Sequence, residues 1–577
     1  MCRLHATSLL MLVLVVATTA CAGPASRPTG QQPADTGTQP RASTPKRVTL
    51  AIRGNPPNLG RERTHPSGSV SSVPGLDALT ELVHAGLTHP NDQGVLLPQL
   101  AEAVPTVENG LWKLLADGRM ETTWKIRPAA KWQDGQPVTT DDLTFTTQVE
   151  QDKELPIPAN AMYEMIERIE TPDRQTVTVT WNQPFIEADR LFSYAAALPL
   201  PKHLLERPLG EDKSTFFGIP YWTNDFIGAG PYKVKDWALD SHVVLSANPD
   251  YALGRPKIDE LEVRFIADPA TLMANVLAGV ELTIGRALSL DQALQVKDQW
   301  REGSYLLRSR AWTPINAQFM NPTPAVVGDQ RFRQGLLHAI DRQLLVDTIM
   351  AGQTSIAHSW VSPETPEYKP IESSIVKYEF DPRRSVQMIE GLGYRRGADG
   401  FFVDNSGQKL TVELRTTVQN PIHAATTATV ANLWEQVGVG VEQNLVSPQL
   451  AQDRDYRANF PAFELVQTGN GLTTRDVRKY HSGSIAMAEN RYTASGNNSR
   501  YANPEIDSAI ERYVTTIPFN DRMQALAQIV NVQTTNLSVM GLILSTEPTM
   551  VANRLKNITP RSERATEAWN AHEWDVK

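Results

Sequence analysis

Cysteine is almost missing from this sequence: of 577 residues only Cys2 and Cys21 are cysteines. Both precede the first patterned segment, so no disulfide can staple the body and its stability has to come from a hydrophobic core. Basic runs are also missing. No more than two Lys or Arg stand together and the formal net charge is -9, which excludes the phosphate-neutralising face of a nucleic-acid binder. Beyond the eight apolar residues Leu9 to Val16 no stretch approaches the length of a membrane span. There is no Gly-x-Ser-x-Gly elbow, no phosphate loop closing on Gly-Lys-Ser/Thr, no His-Glu-x-x-His and no Cys-x-x-Cys. Serine-hydrolase, nucleotide-hydrolysing, zinc-protease and thiol-redox chemistries therefore lack their residues. Eleven histidines are scattered; the closest to an acid, His572-Glu573, reads as solvated surface in a polar C-terminal tail, and no metal site is read.

What is present begins with an export signal over residues 1–20: Arg3, the apolar run, then small residues. Thr18-Thr-Ala-Cys21 resembles a bacterial lipobox, with Cys21 as the acylated residue, although Thr18 stands where such signals carry Leu or Val. Ordinary cleavage after Ala20-Cys-Ala22 also satisfies the small-x-small rule. Residues 21–46 are Pro, Thr, Gly, Gln and Ser with hardly an apolar side chain, the composition of a disordered tether. The remaining chain, within a whole that is 41% hydrophobic and 21% charged, is long enough for two or more packed units.

Arg47 to Ile52 alternates as a half-buried strand, as does Gln175 to Trp181 with its valines on one face and threonines on the other. Ser241 to Ala247 and Ile258 to Ile266 read as strands, and Asp268-Pro269 as a cap and first turn of a helix ending at Gly279. Asp329 caps a predicted long helix with Phe332, Leu336, Ile340 and Leu344 on one face and Arg331, Arg333 and Arg342 on the other, closing near Gly352. Leu410 to Leu414, Ile422 to Val437 and Val439 to Leu445 read as strand, helix and parallel strand. Asn503-Pro504-Glu505 opens another helix. The pattern is α/β with mixed sheets and no internal repeat.

Three stretches invite a catalytic reading and do not sustain it. Gly228-Ala-Gly230 starts like a dinucleotide loop, but Pro231-Tyr-Lys-Val continues as a strand, without the helix N-terminus a pyrophosphate needs. Asp141-Asp142 follows Thr139-Thr140 in capping-box form, where acids in a first turn are expected from the helix dipole. Thr123 to Phe145, TWKIRPAAKWQDGQPVTTDDLTF, parses as a strand, a break at Pro128, an Asp134-Gly135 turn and a helix capped by Thr139 or Thr140.

That same stretch is similar, in order and spacing, to a segment typical of family 5 solute-binding proteins, the oligopeptide, dipeptide and nickel binding proteins of ABC importers. Leu200-Pro-Lys-His-Leu204, Gly228-Ala-Gly-Pro-Tyr-Lys-Val234, Asn248-Pro-Asp-Tyr251 with Arg255-Pro-Lys257, Asp329 to Gln334, Ala339-Ile-Asp-Arg342 and Asn503-Pro-Glu-Ile-Asp507 resemble further family segments in the family's order. Together they span Arg47 to about Tyr513.

The resemblance implies a two-lobe fold of the periplasmic-binding-protein type, α/β with mixed sheets, an additional subdomain and hinged lobes closing on a ligand. It places the first lobe at 47–305, with the subdomain at about 87–190, the second lobe at 306–494, and a return to the first lobe plus a C-terminal tail at 495–577. Peptide-binding members carry a Trp and then an Asp for the peptide's α-amino group. The corresponding stretch here, Phe463 to Asp476, lacks both the Trp and the closely spaced Asp. Gln467 and Asn470 suit a neutral polar ligand, Arg475 a carboxylate or phosphate, and Asp476 ends the stretch. Tyr221, Trp222, Trp312, Phe319 and Asn321 stand where family members face the cleft, with core packing as the structural alternative.

The resulting expectation is an exported, lipid-anchored and monomeric solute-binding protein delivering an oligopeptide or other large organic solute to an ABC permease and ATPase. No catalytic residue, metal or cofactor is expected. A nickel chelate or an oligosaccharide is the alternative ligand; a carboxylate-pair hydrolase and a ligand receptor for a sensor are the alternatives of another class.

Overall fold

The computed structural model describes residues 44–59, 73–155, 157, 160–418, 421–492, 496–562 and 564–577. The export signal, Cys21 and the tether up to residue 43 lie outside the described residues. From Pro45 to Lys577 the chain forms one contact unit, organised by an eleven-stranded mixed sheet.

At one end of that sheet, Arg47–Ile52 runs parallel to Glu260–Phe265 and to Leu282–Thr283, with the antiparallel strands His242–Ala247 and Tyr232–Ala238 outside them. At the other end Thr411–Thr417 runs parallel to Gly440–Val446 and Phe463–Leu465. The crossover between the first two of these is the helix Pro421–Gln436, as the sequence predicts. Two long antiparallel strands, Gly303–Ala317 and Val539–Ala552, join the two ends. Each spans more than one hydrophobic cluster: Met550, Val551 and Ala552 lie in the core of the Arg47–Ile52 end, Ile315, Met540 and Ile543 in that of the other. Between them the pairing slips at Ser309/Ala311 and again at Thr313/Pro314, irregularities that bend and twist a ribbon.

A separate four-stranded sheet, in the order Trp112–Leu114, Met120–Lys125, Thr176–Trp181, Ile166–Glu170, packs a third cluster around Trp124, Trp132 and Trp181. The stretch 123–145 enters it. Thr139 caps Thr140–Gln151 in a capping box with Asp142, whose Oδ2 accepts from the Thr139 amide at 2.8 Å and from Trp132 Nε1 at 3.3 Å. Its Oδ1 accepts from the Lys202 amide at 2.9 Å, and His203 Nε2 meets Asp134 Oδ2 at 2.7 Å. Gln133 clips this layer to the large sheet. Its Nε2 donates to Val83 O at 2.9 Å and Tyr232 O at 2.6 Å, and its Oε1 accepts from the Gly228 amide at 3.1 Å. The glycines of Gly228-Ala-Gly230 are needed there: a Cβ at either would overlap the Val83–His84 backbone. They serve close backbone approach, not a phosphate.

Three details depart from the sequence reading. The predicted long helix after Asp329 is two helices, Gln330–His338 and Arg342–Ile349, because the Asp341 carboxylate caps the second through Leu344 N. Its expected charged face is partly interior: Arg333, 2% exposed, and Arg342 are buried and bond backbone carbonyls, among them Asn536 O at 3.0 Å and Gly541 O at 3.1 Å. Residues 504–536 form two helices that pack with Trp312, Trp360 and Ile371 in a fourth cluster, and the chain joins the core of the Arg47–Ile52 end at Met550. The C-terminal segment is packed; Trp574 is fully buried, His572 meets Tyr251 edge-on with ring centres 5.4 Å apart, and Asp575–Val576 pairs with Leu555–Lys556.

Candidate functional site

The short strand Phe463–Leu465 continues through Thr468–Gly469, which pairs with Ala311 and Trp312, and ends in the small helix Thr474–Arg478. This edge, together with the loop 496–501 and the helix Phe519–Asn536, encloses a cavity of about 430 Å³. Its polar lining includes Asn316, Thr468, Asn497, Ser499, Tyr501 and Gln533, with Val466, Ile506, Ile529 and Val539 as the apolar part. Several of these groups are fixed from outside. Asn497 Nδ2 donates to Tyr501 O at 2.7 Å, Ser499 Oγ to Ser538 O at 2.9 Å, and Asn503 Nδ2 to the Tyr501 hydroxyl at 2.9 Å. Gln533, 2% exposed, approaches the Tyr480 hydroxyl, yet neither its amide nitrogen nor that hydroxyl makes a hydrogen bond of normal geometry. Buried polar groups without partners call for a ligand or ordered water.

A second cavity, of about 200 Å³, shares Thr473 with the first and is otherwise lined by Asp77 and Glu81 of the helix Leu76–Val83, by Arg190 and Tyr194, and by the C-terminal segment with Arg561 and Arg564. Arg561 pairs with Asp77 and lies 3.9 Å from Glu567. Glu81 accepts from the Thr566 hydroxyl, and desolvation pushes its pKa up to about 7, against which that hydrogen bond works. Around these cavities, segments distant in sequence are tied by Arg308 Nη2 to Asp92 Oδ2 at 3.1 Å, Arg564 Nη2 to Glu367 Oε1 at 3.0 Å, and the Thr474 amide to Glu187 Oε2 at 2.9 Å.

The residues singled out from the sequence divide. Arg475 and Asp476 line the large cavity. Asn470, 3% exposed, lines instead a water-sized void of about 20 Å³ beside Arg308 and Arg564, and neither atom of its amide has a partner. Gln467 is exposed beside the edge. Tyr221 and Trp222 are buried in an aromatic group with Phe216, Phe217 and Phe226. Their polar atoms are used internally, Tyr221 Oη donating to Ile227 O at 3.0 Å and Trp222 Nε1 to Phe216 O at 2.7 Å. Trp312 is core, fully buried with an unpartnered Nε1. Phe319 stacks on Tyr501 at 4.5 Å under the Arg333 guanidinium, and Asn321 is an exposed turn residue at φ 54°. The five therefore line neither larger cavity. Sequence reasoning missed Tyr480, the Asn497–Tyr501 loop, Gln533, Glu81 and Arg561. The run Gly496-Asn-Asn-Ser499 was the one visible signal, four small or hydrogen-bonding residues just before a helix cap.

The family model for bacterial extracellular solute-binding proteins, family 5, matches residues 96–482. The chain belongs to that family. A Brucella ovis protein assigned by name to ABC transporter peptide binding is 24% identical over 408 residues, 69% of this chain and 71% of its own length. The oligopeptide-binding protein AppA of Bacillus subtilis is 26% identical over 340 residues, 57% of this chain and 59% of its own length. In structure, AppA in complex with a nonapeptide superposes with a TM-score of 0.63 at 20% identity, covering 92% of this chain and 100% of that one. NikZ of Campylobacter jejuni in complex with Ni(L-His) does so with a TM-score of 0.66 at 20% identity, covering 92% and 100%. The α/β two-lobe fold expected from the sequence is thus the fold of this family 5 member. The family is one of extracellular proteins, and no helix among the described residues is long and apolar enough to cross a membrane.

Proposed function

We propose that this family 5 protein is the extracytoplasmic receptor of an ABC importer, that it captures an oligopeptide or another large organic solute, and that it passes the solute unchanged to a permease and its ATPase. The lobes are the two ends of the large sheet, the four-stranded sheet is the additional subdomain, and the paired strands Gly303–Ala317 and Val539–Ala552 carry the hinge near their register slips. The protein works as a monomer and is tethered to the membrane through an acylated Cys21. The chain itself catalyses nothing.

The observation that carries this reading is the large cavity of about 430 Å³ sharing the wall residue Thr473 with a smaller one of about 200 Å³. Two adjoining chambers suit an extended solute of several residues better than a single small ion. The names of the relatives AppA and the Brucella protein support a peptide. The test is native mass spectrometry and a thermal-shift screen of peptides and oligosaccharides on the purified protein. A stabilising solute recovered intact is expected; turnover of the solute would overturn the reading.

A further inference from the structure

The helix Thr474–Arg478 and its C-cap Lys479 carry three cations whose surroundings differ. Arg478 is neutralised by a two-pronged pair with Glu511, Nη1 to Oε1 and Nη2 to Oε2 both at 2.9 Å. Arg475 and Lys479, one turn apart and so on one face, both line the large cavity. Neither has a carboxylate within ion-pair distance among the described residues: Arg475 is exposed, and Lys479 Nζ donates to Gly469 O at 3.2 Å and Thr468 Oγ1 at 3.4 Å and lies 5.1 Å from the centre of the Tyr480 ring. The one carboxylate of the cavity wall, Asp476, is turned back into its own helix cap, its Oδ2 accepting from Thr473 Oγ1 at 2.6 Å and from the Thr473 amide at 3.3 Å. In the adjoining loop Arg500 is buried with two guanidinium nitrogens lacking hydrogen bonds, which adds positive field.

We propose that Arg475 and Lys479 make this cavity a receptor for the carboxylate-bearing end of the solute, so that the protein selects acidic solutes and does not require a free ammonium group. The inference rests on the solute-binding reading above and sharpens it. The wall is cationic, because Arg475 and Lys479 stand unpaired while Asp476 is held in its helix cap, and a guanidinium fork matches the two oxygens of a carboxylate. A guanidinium paired with a carboxylate supplies charge-assisted hydrogen bonds about twice as strong as neutral ones, and the amide of Gln533 deeper in the cavity is free to bond the neutral groups that follow. An ammonium would meet two like charges at the wall, a repulsive arrangement that works against such ligands. The carboxylate can belong to a peptide C-terminus or to an acidic sugar.

The test incubates the purified full-length protein, and its R475Q/K479Q variant, with a defined mixture of pentapeptides as free acids and as C-terminal amides, together with tri-galacturonate and tri-galactose. Retained components are weighed by native mass spectrometry, and affinities follow by calorimetry. Retention of free acids over their neutral twins by about tenfold or more, lost in R475Q/K479Q and kept in R475K/K479R, is the expected result. Peptide acid against galacturonate then tells which source supplies the carboxylate. Equal retention of neutral twins, or a preference unchanged in R475Q/K479Q, overturns the inference while leaving solute binding in place. Retention of nothing at all overturns both.

Discussion

Four carboxylates, Asp77, Glu81, Glu547 and Glu567, share the field of one buried guanidinium, Arg561. Glu81, buried beside it, has its pKa pushed up to about 7 from an ordinary 4.5 chiefly by desolvation, with the charges of Asp77 and Glu567 adding to the rise and the Thr566 hydrogen bond and Arg561 opposing it. The direction of the consequence follows from where the proton sits. Below pH 4.5 both folded and unfolded chains carry it and Glu81 makes no difference. Between pH 4.5 and 7 the unfolded chain releases it while the folded chain keeps it, so stability falls as pH rises and the loss is complete above about pH 7. At about 1.4 kcal/mol per pH unit the loss amounts to at most about 3 kcal/mol. Glu81→Gln keeps an acceptor for the Thr566 hydroxyl and removes the titration. At about 2.1 cal/mol/K of unfolding entropy per residue, a unit of this size unfolds with about 1 kcal/mol/K. The variant should therefore melt about 3 °C above the parent at pH 8 and within about 1 °C of it at pH 5, by scanning calorimetry at matched ionic strength. A variant that melts below the parent at pH 8 would show that Glu81 is a stabilising ionised partner of Arg561 and would refute the account.

Other perturbations read different parts of the fold. Arg415, 2% exposed, donates to Glu464 Oε1 through Nε at 3.1 Å and Nη2 at 2.9 Å; Glu464→Ala strands the buried cation and should lose about 3–5 kcal/mol in urea unfolding, whereas Arg415→Met with Glu464→Leu should lose far less. Gln133→Ala leaves buried backbone groups at Val83, Tyr232 and Gly228 short of partners and should cost about 2–4 kcal/mol, with limited proteolysis reporting earlier cleavage within residues 87–190. Gly230→Ala forces a methyl into the His84 amide and should reduce folded yield more than the same change at the open turn residue Gly135, where nothing lies within 4 Å and only the positive φ of 94° opposes a side chain.

Much of the architecture was legible because short-range chemistry dictates it. Asp268 caps its helix through Thr271 N at 2.7 Å and Asn503 through Glu505 N at 2.8 Å, and burial alternates over residues 47–50 and 176–179, after which both strands end fully buried. The errors arose where a local pattern has two solutions. A four-residue apolar spacing from Phe332 to Leu344 fits one helix or two, and only the carboxylate of Asp341, free to cap, decides for two. Arg333 and Arg342 look like a solvated face until the carbonyls of Asn536 and Gly541, some two hundred residues away, are brought over them.

The site was less legible for a related reason. Aromatic residues announce themselves in a sequence, yet Trp222 and Trp312 are drawn into cores because large rings gain most from burial. The cavity wall is instead made of small amides and hydroxyls such as Asn497, Ser499 and Gln533, residues common in any loop, whose meaning depends on the distant segments they face. Arg475 was visible because it lies in the stretch Phe463 to Asp476 that the family resemblance marks as facing the ligand. Its availability was not, since Arg478, three residues on, is tied to Glu511, and nothing in the sequence distinguishes the two. Which cations stay unpaired at this cavity is a property of tertiary contacts that family segments conveying the backbone course leave unstated.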